Sequence, residues 1–505
     1  MKTNQIITDA RLARLAWCVT LRRHSFDVEA RVGSDVEISG DGLVEGAWSG
    51  DFVAFGFADA LTFTGTGCII RDGRLVACTP THTLAPIYTL RKDASLHVSN
   101  SLPAILLLTD ERLDPEYPHY DSDIMSIIFG VDRYTGCIPT VNRRSVCLHY
   151  FRNIEVSPGL ELRVLEKEVP AGFRSFAEYD EFVAKEVGCV ISNAVDKGRR
   201  NSFDPLTTVS SGYDSPACAV WAARAGTVDA ITIAEARDGF SDCDDSGRAI
   251  AEKLGLKVTE LSRESCSRPA RPDAELEILC SGYGGDDLIW VGAEPLLADR
   301  LLMTGYHGDK IWSTHAAAVS RTVKRGDPSG ASLLEFRLSV GFFTLPVPFI
   351  GCTRHPDIWR ISVSDEMKNW SVGGGYDRPV PRRVVEAAGV AREQFGQSKK
   401  AIANPYQDTD AMNPPLEKTL SQATVTRFRA DRGAGGIRRK LSACRFRVLG
   451  RVVTSHKVRR LMQWLGASKR LDRMRWKYRK PLSEHDFLMA WAVNALIEDR
   501  LGRNR

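Results

Sequence analysis

The chain has 505 residues, 43% of them hydrophobic and 26% charged, which excludes a disordered or fibrous protein and predicts two or three domains. No run approaches the roughly 18–20 apolar residues of a membrane span, and "MKTNQIITDARLARLAWCVTLRRHSF" lacks a signal-peptide core, so a cytoplasmic protein is expected. The net charge of +5 conceals an asymmetry: between Arg427 and Lys480, 19 Lys or Arg face only Asp431 and Asp472, while the rest of the chain carries 49 basic against 61 acidic residues.

Residues 1 to about 170 are rich in short alternating runs, such as "LTFTGTGCIIRDGRLVACTP" and "APIYTLRKDASLHVSN", punctuated by Gly and Asp. This pattern predicts antiparallel sheets. "SFAEYDEFVAKEVGCVISNAVDKG" then reads as an amphipathic helix. From about 204 the order becomes strand ("LTTVS"), helix ("SPACAVWAARAG"), strand ("DAITIAE"), helix ("DDSGRAIAEKLG") and strand ("KVTELS"), followed by a helix in "AEPLLADRL" and a strand in "RLLMTG". Such alternation predicts a parallel sheet with helices on both faces. The chain divides accordingly into 1–170, an α/β unit over 171–415, and a basic, mainly helical segment over 416–505. The 12 cysteines are scattered, with no C-x-x-C pair, and read as mostly buried free thiols of a reducing compartment.

Ligands on parallel sheets gather beyond the carboxyl ends of the strands. Two polar loops fall there: Ser210-Ser211-Gly212-Tyr213-Asp214-Ser215 and Thr304-Gly305-Tyr306-His307-Gly308-Asp309. In the first, glycine allows close approach, and the hydroxyls with the free N–H groups of a helix start suit phosphate oxygens. Asp214 would repel phosphate unless a divalent cation bridges them, and Mg²⁺ is the usual bridge. The competing reading is an ordinary N-cap and turn.

"SSGYDS" resembles the S-G-G-x-D-S pyrophosphate loop of the asparagine synthetase-like ATP pyrophosphatases, with Ser211 where the family has glycine, a change that requires a negative φ. "DCDDSGRAIAEKLGL" is similar to the helix after the family's adenine-contacting strand, here "AITIAE" with Ile233. "LLMTGYHGDKIW" resembles the second signature, S-G-E-G-x-D-E, with Asp309 on its aspartate. "GVAREQFGQSKKA" resembles the late stretch that carries the catalytic lysine, at Lys399. The resemblance implies a nucleotide held by Ser210, Ser211, Gly212, Asp214, Ser215, Ile233 and Gly305. It further implies Mg²⁺ shared by Asp214 and Asp309, ATP cut between its α and β phosphates, and an acyl-adenylate stabilised by Lys399.

The departures refine that expectation. Tyr306 stands where asparagine-forming enzymes have Glu, as in β-lactam synthetases, and implies a base assisted by a glutamate, Glu335 or Glu366. His307 is the alternative proton acceptor. The family's last signature Glu is Lys310. Met1 is followed by Lys2-Thr3 rather than by cysteine, so the N-terminal unit is expected to be a glutaminase-like β-sandwich without glutaminase chemistry, as in β-lactam synthetases and lasso-peptide cyclases. The whole reads as an ATP-dependent amide-forming ligase acting on a small-molecule, peptide or polysaccharide-linked carboxylate. The basic 427–480 stretch either packs on the acidic body or meets an anionic membrane surface or carrier. Nucleic acid is not favoured. A tRNA-modifying pyrophosphatase and a catalytically decayed binding or scaffold protein are the rival readings.

Overall fold

The computed structural model describes residues 2–23, 27–238, 241–282, 285–316, 319–320, 322–398, 400, 415–433 and 482–502. The N-terminal region forms two sheets. The first has seven strands in the spatial order Lys2–Thr8, Asp27–Val32, Trp17–Arg22, Ser95–Ser99, Ile87–Lys92, Ser145–His149 and Cys137–Pro139. The second has six, in the order Leu162–Leu165, Asn153–Val156, Arg74–Cys78, Phe63–Arg71, Gly42–Trp48 and Glu37–Ser39. Strand Asp27–Val32 alternates strictly, with Val28, Ala30 and Val32 buried, as a strand with one apolar face must. Those residues share one core with Leu43, Cys68, Leu75 and Ile154 of the second sheet, which makes the pair a sandwich.

One expectation changes here. The N-terminal sheets are not wholly antiparallel, because Lys2–Thr8 pairs in parallel with Asp27–Val32. Two chain reversals leave these strands running the same way, and Trp17–Arg22 occupies the other side of Asp27–Val32. The cysteines are mostly buried free thiols, as expected, with one pair joined: Cys137 and Cys147 sit directly opposite one another on paired strands and form a disulfide. Their ten-residue separation is that of a hairpin. Of the nine free cysteines among the described residues, seven are buried.

The second region opens with helix α1 (Phe176–Ala194), capped by the Ser175 hydroxyl, which accepts a hydrogen bond from the Glu178 N–H. A five-stranded, all-parallel sheet follows: β1 (Asp204–Thr208), β2 (Asp229–Ile233), β3 (Lys257–Leu261), β4 (Arg300–Thr304) and β5 (Phe343–Pro346), in the order β3-β2-β1-β4-β5. The direction of winding reverses between β1 and β4, so the crevice beyond their carboxyl ends is the natural ligand site of this topology. Helix α2 (Asp214–Arg224) follows β1, α3 (Arg248–Lys253) follows β2, and the single turn α4 (Gly308–Ile311) follows β4. Strand β5 and a hairpin of Glu235–Asp238 with Ser241–Asp244 have no counterpart in the sequence reading. The helix expected in "AEPLLADRL" shrinks to Glu294–Leu297.

The two regions are bound by buried polar links. The Arg337 guanidinium forms a fork with Glu45 at 2.6 and 3.0 Å, and Glu335 accepts from the Ser101 hydroxyl and the Leu102 N–H. Helix α5 (Pro379–Ala387) packs on α2. The terminal helix α6 (Leu488–Gly502) packs against Leu102–Leu108 and Ala274–Cys280. Of the predicted basic segment, helix Gln422–Arg432 and α6 are seen, and 434–481 lie outside the described residues. No helix among the described residues is long and apolar enough to cross a membrane.

Candidate nucleotide site

The loop between β1 and α2 is a compact turn held by its own hydroxyls. The Ser210 and Ser215 hydroxyls share a hydrogen bond of 2.9 Å, and Ser210 Oγ also accepts from the Gly212 N–H. The Ser211 φ is not positive, so a serine sits there without backbone strain. Its N–H and hydroxyl both donate to Asp245 Oδ1, at 3.1 and 2.6 Å. The Gly212 φ is not positive, and a Cβ there would make only ordinary contacts within the protein, 3.4 Å from Ser210 Oγ. The glycine that the loop requires is Gly247, where a Cβ would stand 2.6 Å from the Val209 carbonyl carbon.

The loop after β4 folds directly over Asp214. A Cβ on Gly305 would lie 2.7 Å from the Ser215 nitrogen, and one on Gly308 would lie 2.5 Å from Asp214 Cγ. Asp214 and the neighbour of Gly308, Asp309, are therefore brought to one place from two strand ends. Each has a cation: Arg378, at the start of α5, hydrogen-bonds to Asp214 Oδ2, and Lys310 Nζ lies 2.6 Å from Asp309 Oδ2. No group of three or more His, Cys, Asp or Glu among the described residues forms a metal cluster. A cation seated on Asp214 and Asp309 must complete its shell from phosphate and water, as Mg²⁺ usually does.

The late stretch docks on the first loop. The Gly396 N–H donates to the Ser211 carbonyl at 2.8 Å. At φ +65°, with a Cβ that would fall 2.4 Å from the Tyr213 ring, only glycine fits there. Phe395 meets Tyr213 edge-on, and Arg382 hydrogen-bonds to the Tyr213 hydroxyl. Lys399 lies outside the described residues. Its neighbour Lys400 reaches the loop, with Nζ donating to Ser211 Oγ at 2.8 Å and to the Asp244 carbonyl at 2.5 Å. Burial pushes the Asp245 pKa up, against the pull of Ser211 and Lys400.

The remaining candidates line the wall. Ile233 ends β2 with its side chain in the core, 2% exposed. The Tyr306 hydroxyl accepts from Trp290 Nε1 at 3.1 Å, and its pKa is driven well above the ordinary value by burial and by the charges of Asp287 and Asp286. A phenol so placed resists ionisation. Neither expected glutamate accompanies it, since Glu335 is engaged with Ser101 and Leu102, and Glu366 with the Phe176 N–H and Arg383. His307 adopts a left-handed backbone at φ +78° and stacks on Phe349 at 4.4 Å. Burial lowers its pKa to about 3, so the ring is neutral at physiological pH, and its buried Nδ1 has no hydrogen-bond partner among the described residues.

The sequence reading missed Asp245, Arg378, Arg382 and Lys400. Asp245 lies within a stretch already singled out, and Lys400 adjoins a chosen lysine. Arg378 is 164 residues from its partner, and no spacing announces it. No protein-family model matches the chain, and no curated protein is significantly similar to it.

Proposed function

We propose that the chain is an ATP-dependent ligase that adenylates a substrate carboxylate, releases pyrophosphate and passes the acyl group to an amine or ammonia. One observation carries this reading: the Ser210–Ser215 loop, the Gly305–Asp309 loop, Gly396 and Lys400 converge beyond the carboxyl ends of β1 and β4. The Ser210, Ser211 and Ser215 hydroxyls and the first N–H groups of α2 bind the polyphosphate. Asp214 and Asp309 would hold Mg²⁺, which would supply positive charge to the phosphates for cleavage between the α and β positions. Lys399 and Lys400 bring cationic charge to the α-phosphate, where negative charge grows as the carboxylate attacks. Tyr306, half-buried, and His307, buried, are both uncharged and shape the acyl side of the pocket, and the incoming amine is deprotonated elsewhere.

In this reading the N-terminal sandwich is glutaminase-like in form and inert in chemistry. Supporting it, Cys18, Cys68 and Cys78 are buried in strands of the sandwich, and burial pushes all three thiols up, Cys18 and Cys78 to about 12. A thiol held protonated is a poor nucleophile.

The test is exchange of labelled pyrophosphate into ATP, run against a panel of amino-acid, peptide and uronic carboxylates. Carboxylate-dependent exchange, with AMP as the nucleotide product, is expected. Formation of ADP and phosphate refutes the proposal.

A further inference from the structure

Two carboxylates in a polyphosphate site repel the ligand they serve, and this site carries its own compensation. Asp214 is paired with Arg378, whose side chain is 8% exposed and lies over the Tyr376 ring at 4.9 Å. Asp309 is paired with Lys310, which also stands 3.7 Å from Asp327. The fold makes room for that lysine: Gly326 adopts φ +88°, and a Cβ on it would fall 2.7 Å from Lys310 Cε. The quartet is neutral. Each cation holds an oxygen that a metal ion on Asp214 and Asp309 would need.

We infer that Arg378 and Lys310 are polyphosphate-binding residues which exchange the two carboxylates for phosphate oxygens when nucleotide and metal arrive together. The inference rests on the ligase reading and adds two contacts to it. Metal and cations compete for the same carboxylate oxygens. A guanidinium as buried as that of Arg378 cannot lose its anion without replacement, and the anion that arrives with the metal is the polyphosphate. A guanidinium fork matches two phosphate oxygens, and an ammonium serves as a point charge beside them. The swap also explains why a lysine is tolerated next to a metal carboxylate: before the ligand comes it neutralises Asp309, and afterwards it neutralises the ligand.

Two binding measurements on the full chain test this without turnover, using Mn²⁺ followed by electron paramagnetic resonance and inorganic pyrophosphate followed by calorimetry in the presence of Mg²⁺. Lys310→Ala removes a competitor of the metal and a partner of the phosphate. It is expected to tighten Mn²⁺ binding in the absence of pyrophosphate and to weaken Mg²⁺-pyrophosphate binding, each by about tenfold, the size of one charge-assisted contact. Lys310→Glu shifts both in the same directions and further. Arg378→Lys keeps the charge but loses the fork, and lowers pyrophosphate affinity while the thermal melt stays in place. A purely structural role for the two cations weakens both ligands together or neither, and that result overturns the inference while leaving the ligase reading intact. Wild-type protein that binds neither Mn²⁺ nor pyrophosphate brings down both.

Discussion

Gly308→Ala is the sharpest probe of the site, because its effect is purely steric. The Gly308 φ is not positive, so alanine suits the backbone, and in solvent it would strengthen the short helix α4. The obstacle is Asp214: the added Cβ would stand 2.5 Å from its Cγ and 2.8 Å from its Oδ1. Reaching an ordinary 3.4 Å contact requires the two loops to part by roughly 0.9 Å. Overpacking of this kind costs about 1–3 kcal/mol of stability. On the proposed function, displacing the Asp214 carboxylate by about 1 Å costs on the order of 100-fold in rate. The expected outcome is a modest fall in the urea midpoint together with a loss of pyrophosphate exchange near two orders of magnitude. Gly188→Ala is the control. That glycine lies in the middle of α1, and a Cβ added to it would meet nothing within 4 Å, so alanine there raises stability by about 1 kcal/mol and leaves exchange alone. Exchange in Gly308→Ala within twofold of wild type refutes the placement of Asp214 at the reacting centre.

Three further outcomes are expected. Burial raises the Glu335 pKa from an ordinary 4.5 to about 7, so the folded state holds this proton more tightly than the unfolded chain. Stability falls as pH rises from about 4.5 to about 7, by on the order of 3 kcal/mol. Glu335→Gln flattens that slope, and urea melts at pH 5 and pH 8 read it; an unchanged slope contradicts the assignment. Truncating Arg337 leaves the charge of Glu45, which is 0% exposed, buried without its cation and with only Thr66 and Asn100 as donors among the described residues, at a cost of about 3–5 kcal/mol. The double variant Glu45→Met/Arg337→Met should recover most of that loss, and failure to recover it points to a role beyond the pair. Asp245→Ala removes the carboxylate that fixes the Ser211 N–H and hydroxyl. It is expected to raise the KM for ATP by about tenfold with little change in thermal stability, and an unaltered KM places this contact outside the nucleotide site.

The elements legible in the sequence are those whose signal is local. Helix α1 has a serine cap and nineteen residues of amphipathic pattern. Strands β2 and β4 carry short runs of Ile, Leu and Met, and β1 and β4 lead directly into the Ser210 and Gly305 loops. Strand β5, "FTLP", is four residues long and fully buried, too short to show a period. The Cys137–Cys147 pair is set by strand register, which twelve scattered cysteines do not reveal. The parallel pairing of Lys2–Thr8 with Asp27–Val32 likewise follows from the placement of a third strand between them in the chain, not from any residue within either one.

The site divides along the same line. The loops holding Asp214 and Asp309 stand out because glycine and hydroxyls cluster where strands meet helices. The groups that surround them come from distant parts of the chain. Arg378 reaches Asp214 because α5 packs across α2, Lys400 reaches Ser211 because Gly396 can close on the Tyr213 ring, and the fate of Tyr306 is decided by Trp290, Asp286 and Asp287. Tyr306 illustrates the consequence. From its position in a signature it reads as a base, but a hydroxyl that accepts from an indole N–H beside two buried aspartates is held in its neutral form. Sequence identifies which side chains enter a pocket; the charge each carries there is set by what the fold places behind it.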